Sequence, residues 1–121
     1  MSYEVADLFE WRPPRLWDAC VFGFWICKVP DERLANFLDT VAASVRPDGV
    51  VCFIDKAAVS EPASEREERT LNDGRRFTIF DHPRPPARLV EAFAAAGLDI
   101  QVETFGDRFC LGHGTCVGRE R

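Results

Sequence analysis

The stretch WDACVFGFWICKVPDERLANFL, residues 17–38, decides the fold because it contains a strand, a corner and the start of a helix. Residues 19–26 form a continuous apolar run, which predicts a strand buried on both faces in a parallel sheet. Beyond Pro30, Asp31 and Glu32 suit the positive amino end of a helix. Apolar residues then recur with the spacing of one helical stripe. The stripe consists of Leu34, Phe37, Leu38, Val41 and Val45.

A second buried strand is predicted at residues 50–55, VVCFID, after a helix stop at Pro47-Asp48-Gly49. A strand, a helix and a strand joined by short links form a right-handed unit with parallel strands. The sequence therefore predicts an α/β protein in which two parallel strands are joined by a helix.

The rest of the chain predicts a polar segment, a helix and an antiparallel hairpin. Residues 61–76 carry five acidic residues and four arginines, which is typical of a solvated loop or a short helix. Within them, Asn72-Asp73-Gly74 predicts a tight turn. The elements predicted after this turn are a short strand or lid edge at residues 76–80, a helix at 87–97 that ends at Gly97, and hairpin strands at 99–105 and 108–117.

The composition is that of one globular domain over all 121 residues. A net charge of −5 offers no basic surface for nucleic acid or an anionic membrane. No apolar run reaches the roughly 20 residues that a membrane helix requires, and the amino terminus lacks the basic and apolar regions of a secretory signal. We therefore expect a cytoplasmic protein without a nucleic-acid or membrane partner.

Five cysteines, three of them in apolar runs, indicate reduced buried thiols rather than a disulfide framework. Cys110, His113 and Cys116 are close enough in sequence to suggest a metal cluster. In a strand, however, a spacing of three places His113 on the opposite face from both cysteines. No fourth ligand is near in sequence, so we expect no metal site.

The order and spacing of these segments resemble the carboxyl-terminal half of class I S-adenosylmethionine-dependent methyltransferases. The resemblance implies a truncated Rossmann-like sheet, in which the family's seventh strand lies between the fifth and the sixth. The segments that match the family are ADLFEW (6–11) at the end of the third strand, WDACVFGFWICKVP (17–30) at the fourth strand and its corner, VRPDGVVCFID (45–55) at the fifth strand, RTLNDGRRFTIF (69–80), and LVEAFAAAGLDIQVE (89–103) with FGDRFCLGHGTCV (105–117) at the last helix and the last two strands.

Two features of that family are missing from this chain. None of its eight glycines lies in a GxGxG pattern, with which the family's backbone approaches the methionine part of the cofactor, and the acid that holds the ribose is absent. The resemblance places Asp7 near the adenine, and it places Lys28 where the family has a histidine beside the reacting methyl. We therefore expect a domain that does not bind S-adenosylmethionine well by itself, with Asp7 as the candidate cofactor contact.

Three residues are candidates for catalysis. Asp55 ends the second parallel strand and Lys28 follows the first, at the edge where open α/β sheets bind ligands. His82 lies in the polar segment FDHPRPP, and histidine has an unperturbed pKa near neutrality. For each residue a structural interpretation stays open: a strand-end carboxylate, a solvated lysine and an ordinary loop histidine.

Without the family's first strand as a neighbour, residues 19–26 form an exposed apolar sheet edge, which invites pairing with another strand. We expect a homo-oligomer that pairs through this edge; the amino-terminal segment or a methyltransferase partner are the alternative covers. Three functions stay open. The chain methylates a small molecule with S-adenosylmethionine once another chain completes it, performs cofactor-independent chemistry on a small molecule, or is a non-catalytic companion of a full-length methyltransferase.

Overall fold

The computed structural model describes residues 3–58, 65–106 and 108–117. Among these residues, no helix has the length and the apolar character of a membrane span. The helices are α1 (Asp31–Ser44) and α2 (Pro86–Ala95), and a single turn of 3-10 helix covers Ile26–Lys28. The strands are β1 (Trp17–Gly23), β2 (Val45–Lys56), β3 (Glu65–Thr70), β4 (Arg76–Asp81), β5 (Leu98–Phe105) and β6 (Phe109–Cys116).

Four strands form one mixed sheet in the order β1-β2-β6-β5. β1 and β2 are parallel and are joined by α1, whereas β6 pairs antiparallel with both β2 and β5. β3 and β4 form a separate antiparallel hairpin. The predicted α/β fold is therefore confirmed, with its parallel pair, its carboxyl-terminal hairpin and the position of β6 between β2 and β5.

Helix α1 buries the predicted apolar stripe and carries Asp31 and Glu32 in its first turn. It ends at Ser44, before the predicted stop, and Val45 already belongs to β2. Asp48 has a φ of 67°, and the pairing of β2 with β1 shifts register near this residue. The segment that was predicted to stop the helix is therefore an irregularity within β2.

The centre of the core is a stack of three phenylalanine rings. Phe22 and Phe53 are direct neighbours on β1 and β2, with ring centroids 5.4 Å apart and an interplanar angle of 8°. Phe93 of α2 also stacks on Phe53, at 5.0 Å and 9°. Gly112 lies opposite Phe53 on β6, and its lack of a side chain leaves room for the Phe53 ring. The packing of α2 on the sheet thus depends on a glycine in the third strand of the row.

The face of the sheet that points away from the two helices carries several exposed apolar side chains. Val21 on β1 is 74% exposed, and Val50 on β2 and Leu111 on β6 are exposed as well. The prediction that residues 19–26 form one strand buried on both faces is therefore wrong. β1 ends at Gly23 and its burial alternates, because it lies at the edge of the sheet and neither helix covers its second face.

Two further predictions differ from the structure. Residues 6–11, matched to a strand end, form a turn, in which the Asp7 carbonyl oxygen accepts hydrogen bonds from the backbone N–H groups of Glu10 and Trp11. Residues 65–70 form β3, because they pair along their whole length with β4, while residues 61–64 of that predicted loop or short helix lie outside the described residues. The turn that follows β3 is confirmed, with a φ of 88° at Gly74.

Gly112→Ala tests the packing of the phenylalanine stack. A β-carbon at this position overlaps the ring of Phe53, which Phe22 and Phe93 hold in place. We expect the free energy of unfolding, measured with urea, to fall by about 1–3 kcal/mol, the usual cost of overpacking a core. The control His113→Ala, at the next and exposed position, should change it by less than about 0.5 kcal/mol. Equal stability of Gly112→Ala and the wild type would contradict this packing.

Candidate functional site

The corner that follows β1 lies at the carboxyl ends of the two parallel strands, where open α/β sheets bind ligands. The backbone N–H of Phe24 still donates to the carbonyl oxygen of Ile54, at 2.8 Å, and Phe24 then adopts a φ of 54°. The 3-10 turn at Ile26–Lys28 follows. Residues 24–30 are called the β1 corner below.

Asp55 anchors the β1 corner from the neighbouring strand. Its side chain is buried, and Oδ2 accepts hydrogen bonds from the backbone N–H groups of Ile26 at 2.7 Å and Cys27 at 3.4 Å. Oδ1 accepts a third from the N–H of Lys56 at 2.7 Å. The carboxylate therefore satisfies backbone donors that would otherwise be buried without partners.

Two lysines and an aspartate form an ion-pair cluster beside the β1 corner. Nζ of Lys28 lies 3.3 Å from Oδ1 of Asp81, and Nζ of Lys56 lies 2.8 Å from Oδ2. Burial acts to raise the pKa of Asp81, but hydrogen bonds from Lys56 and the Cys27 thiol, with the charge of Lys28, outweigh it and lower this pKa. Asp81 thus stays ionised and holds both ammonium groups at the rim of the sheet.

The thiols next to Asp55 are not activated nucleophiles. Burial raises the pKa of Cys27 strongly, and the carboxylates of Asp55 and Asp81 raise it further. Burial also raises the pKa of Cys110 to about 11, with a smaller contribution from the charge of Asp55. Because the thiolate is the reactive form of cysteine, both side chains are inert at neutral pH.

Arg84, which the sequence analysis did not single out, is fully buried against the β1 corner. Its Nη1 donates to the carbonyl oxygen of Ile26 at 2.9 Å, and its Nη2 donates to that of Val29 at 2.7 Å. Nε and Nη2 donate to Oδ1 of Asp31 at 3.1 and 2.8 Å. One side chain thus joins the corner to the first turn of α1. Its local signal in the sequence is HPRPP, whose prolines restrict the backbone but do not identify these partners.

His82 lies in the loop between β4 and α2, as predicted, and its side chain is buried against the β1 corner. Its backbone N–H donates to the carbonyl oxygen of Cys27 at 2.7 Å, which draws the side chain inward. Its Nε2 lies 3.6 Å from Oδ2 of Asp31. Burial acts to raise the pKa of Asp31, but the hydrogen bonds and charge of Arg84, with the charges of His82 and Arg88, lower it.

The structure brings three of the four predicted site residues together. Asp55, Lys28 and His82 all lie at the β1 corner, although their roles in catalysis stay predictions. Asp7 is elsewhere, in the amino-terminal turn, where its Oδ1 accepts a hydrogen bond from the backbone N–H of Phe9 at 3.0 Å. Sequence reasoning therefore located the rim of the sheet correctly but missed Arg84, Asp81 and Lys56.

The cysteines and histidine of β6 lie on the faces that strand spacing predicts. Cys110 and Cys116 are buried, whereas His113 is on the exposed face. All five cysteines are free thiols. Within residues 3–58, 65–106 and 108–117, no group of three or more His, Cys, Asp or Glu side chains is placed to hold a metal ion.

No family model and no curated protein sequence matches the chain. Solved structures do: a complex of DhpI with S-adenosylhomocysteine is 36% identical, with a TM-score of 0.84 over 98% of this chain and 56% of DhpI. An S-adenosylmethionine-dependent methyltransferase from Mesorhizobium loti is 18% identical, with a TM-score of 0.70 over 94% of this chain and 69% of its own. The glycopeptide N-methyltransferase MtfA is 13% identical, with a TM-score of 0.65 over 92% of this chain and 59% of its own.

These similarities confirm the predicted resemblance. Over the part that it spans, the chain has the fold of class I S-adenosylmethionine-dependent methyltransferases. More than a third of the aligned positions are identical in this chain and DhpI. The chain spans little more than half the length of DhpI and MtfA.

Among the described residues, the glycines with a positive φ lie away from the ends of the parallel strands. The glycines with positive φ in these ranges are Gly74, Gly97 and Gly106, and each lies in a turn or at a helix end rather than after a parallel strand. The carboxylate of Asp7 is bonded within its own turn. The rim formed by the parallel strands is present, whereas a glycine loop that could approach the cofactor is not among these residues.

Arg84→Met tests whether the buried guanidinium holds the β1 corner. The substitution removes the guanidinium donors from the carbonyl oxygens of Ile26 and Val29 and from the carboxylate of Asp31. We expect the free energy of unfolding to fall by about 3 kcal/mol, as measured by urea denaturation. The matched control is Arg88→Met, because Nη2 of this partly exposed residue lies 3.7 Å from the same Oδ1 of Asp31. Arg88→Met should lower the free energy of unfolding by less than about 1 kcal/mol. Equal losses for the two variants would show that Arg84 has no special role.

Proposed function

We propose that the chain is a methyltransferase-like protein that acts on a small-molecule substrate and that is incomplete on its own. In this proposal S-adenosylmethionine binds only after a second polypeptide has covered β1, and that polypeptide is another copy of the same chain. The observation that carries the proposal is the position of β1. It is an outer strand of the sheet in the described part of the chain, and Val21 at its centre is 74% exposed.

The sequence of β1 supports pairing with another strand. Proteins usually protect an outer strand with lysine, proline or an inward-pointing charge. β1, WDACVFG, contains neither lysine nor proline. Its one charged residue is Asp18, whose Oδ1 lies 2.9 Å from Nε of Arg46. The edge therefore has apolar side chains and unprotected backbone groups, which is the usual template for strand addition.

A hollow beside β1 supports the same conclusion. It measures about 360 Å³ and lies between the amino-terminal segment, β1 and α1. Its wall is mainly apolar, and side chains from an added strand would fill it as a core is filled. The lining includes Leu8, Trp11, Val21, Trp25, Phe37 and Val41.

Two observations support S-adenosylmethionine as the cofactor of the completed protein. DhpI, at 36% identity, was solved with S-adenosylhomocysteine, and MtfA, which shares the fold, was solved with the same compound. This chain keeps the strand ends and the β1 corner of that fold. Because the glycine loop is not among its described residues and a second copy has the same sequence, the cofactor would need groups other than that loop from the second copy.

A second candidate function, a non-catalytic companion of a full-length methyltransferase, is favoured by the state of the predicted catalytic groups. Asp55 accepts three backbone hydrogen bonds, and His82 is buried against the β1 corner. Both side chains therefore stabilise the fold. The alternative of cofactor-independent chemistry on these groups has no comparable support.

Titration with S-adenosylhomocysteine, with the oligomeric mass measured by sedimentation, tests the proposal. We expect binding heat only at protein concentrations at which the dimer is present. Val21→Lys places a charge on the outer strand, so it should give a folded monomer whose affinity is lower by at least about tenfold. Val117→Lys is the matched control: Val117 is 62% exposed beyond the end of β6, and this variant should dimerise and bind like the wild type.

Three other results would contradict part of the proposal. A monomeric Val21→Lys variant that binds with wild-type affinity would contradict completion by a second copy. A wild-type chain that is monomeric at every concentration and binds nothing would do the same. A wild-type dimer that binds no S-adenosylhomocysteine would overturn the cofactor assignment and favour the companion function.

A further inference from the structure

A second hollow, called the rim hollow here, opens beyond the carboxyl end of β2. It measures about 540 Å³ and lies between the end of β2, the start of α2 and the turn that joins β5 to β6. Its position at the carboxyl end of a parallel strand is the place where open α/β sheets bind small molecules. Its lining includes Ala57, Pro86, Thr104, Gly106, Arg108 and Phe109.

Three partly exposed aromatic rings cluster beside the rim hollow, and one of them lines it. Phe109 lines the hollow, and Phe105 stacks on it with centroids 5.7 Å apart and an interplanar angle of 24°. The ring of Phe24 meets Phe109 edge-on, at 6.1 Å and 89°. Each of the three residues is between 37% and 49% exposed. Phenylalanines that cluster and yet stay this exposed mark a binding surface more often than isolated ones do.

The backbone of Phe24 is strained in order to reach this position. Its φ of 54° is left-handed, which is rare for a bulky residue and costs on the order of 1–3 kcal/mol. The strain persists because hydrogen bonds fix the residues that follow Phe24. Asp55 accepts from the N–H groups of Ile26 and Cys27, and Arg84 donates to the carbonyl oxygen of Ile26. The fold thus fixes the edge of the Phe24 ring against Phe109, as expected of a residue that orients a contact surface.

Arg108 supplies the charge of the rim hollow. It is exposed and lines the hollow, and the other side chains that line it among the described residues are neutral. A guanidinium binds carboxylates with two parallel hydrogen bonds and also stacks on flat rings. The Phe109 ring and the Arg108 guanidinium lie on adjacent residues. Together they suit a ligand with a flat ring and an anionic group.

We infer that the rim hollow binds a small aromatic carboxylate, whose ring packs on Phe109 and whose anionic group pairs with Arg108. Phe24 acts as a positioning residue for the Phe109 ring. Binding of this class of molecule does not require the cofactor. That the bound molecule is the substrate of the methyltransferase site rests on the proposed function.

The test is a titration of the full chain with cinnamate, followed by NMR of the backbone amides. We expect saturable shifts centred on Ala57 and Phe109, with cinnamamide binding about tenfold more weakly because it lacks the charge. Cyclohexanepropionate, which has the charge but no aromatic ring, should also bind about tenfold more weakly. These three probes separate the contribution of the charge from that of the ring.

Variants then assign the two contributions. Arg108→Gln should remove the preference for cinnamate over cinnamamide, whereas the control Arg75→Gln, at an exposed arginine of the β3–β4 turn, should keep it. Phe109→Ala should lower the affinity for cinnamate at least about tenfold. Phe24→Gly should weaken it severalfold without loss of stability, because glycine adopts a left-handed φ at no steric cost.

The absence of saturable shifts in the wild type would overturn the inference, as would equal affinity for cinnamate and either comparison probe. Wild-type selectivity in Arg108→Gln, an exposed position where unfolding is not at issue, would overturn the assignment of the charge. None of these outcomes depends on S-adenosylhomocysteine, so failure of this inference and failure of the proposed function are distinguishable.

Discussion

Arg84 and Asp55 fix the β1 corner through hydrogen bonds to its backbone, and the elements around the corner depend on these bonds. Arg84 brings a charged group into the interior, which is stable only because carbonyl oxygens and Asp31 take up its donors. Asp55 does the converse for two backbone N–H groups of the same corner. The two side chains together fix where β1 ends, where α1 begins and how the start of α2 meets them.

The β1 corner contains two kinds of side chain: some are buried, and others are partly exposed at the rim of the sheet. Asp55, His82 and Arg84 are buried in the corner, and the side chains of Asp55 and Arg84 bond its backbone groups. Lys28 and Phe24 belong to the same corner but stay partly exposed, one paired with Asp81 and the other strained against Phe109. Lys28 and Phe24 are therefore the side chains of the corner that can contact a small molecule.

The sequence allowed prediction of the elements whose signals are local. The stripe of α1, the parallel pair, the turn at Gly74 and the terminal hairpin all follow from periodicity and turn residues within short windows. Arg84 could not be predicted in this way, because its partners Ile26 and Asp31 are more than fifty positions away. β3 was missed because its pairing with β4, and not the character of its charged sequence, makes it a strand. The exposed face of β1 was missed because an apolar run does not reveal whether helices cover both faces of a strand.

We propose that a second copy covers the outer edge of β1 in the working protein. Hydrogen exchange of the β1 amides, Trp17–Gly23, tests it most directly, because parallel pairing with β2 engages only alternate N–H groups and leaves the others at the free edge. We expect exchange at these free-edge amides to slow as the protein concentration rises through the range of dimer formation, because a second copy then pairs with them. Exchange at the rate of an unprotected chain at every concentration would contradict it.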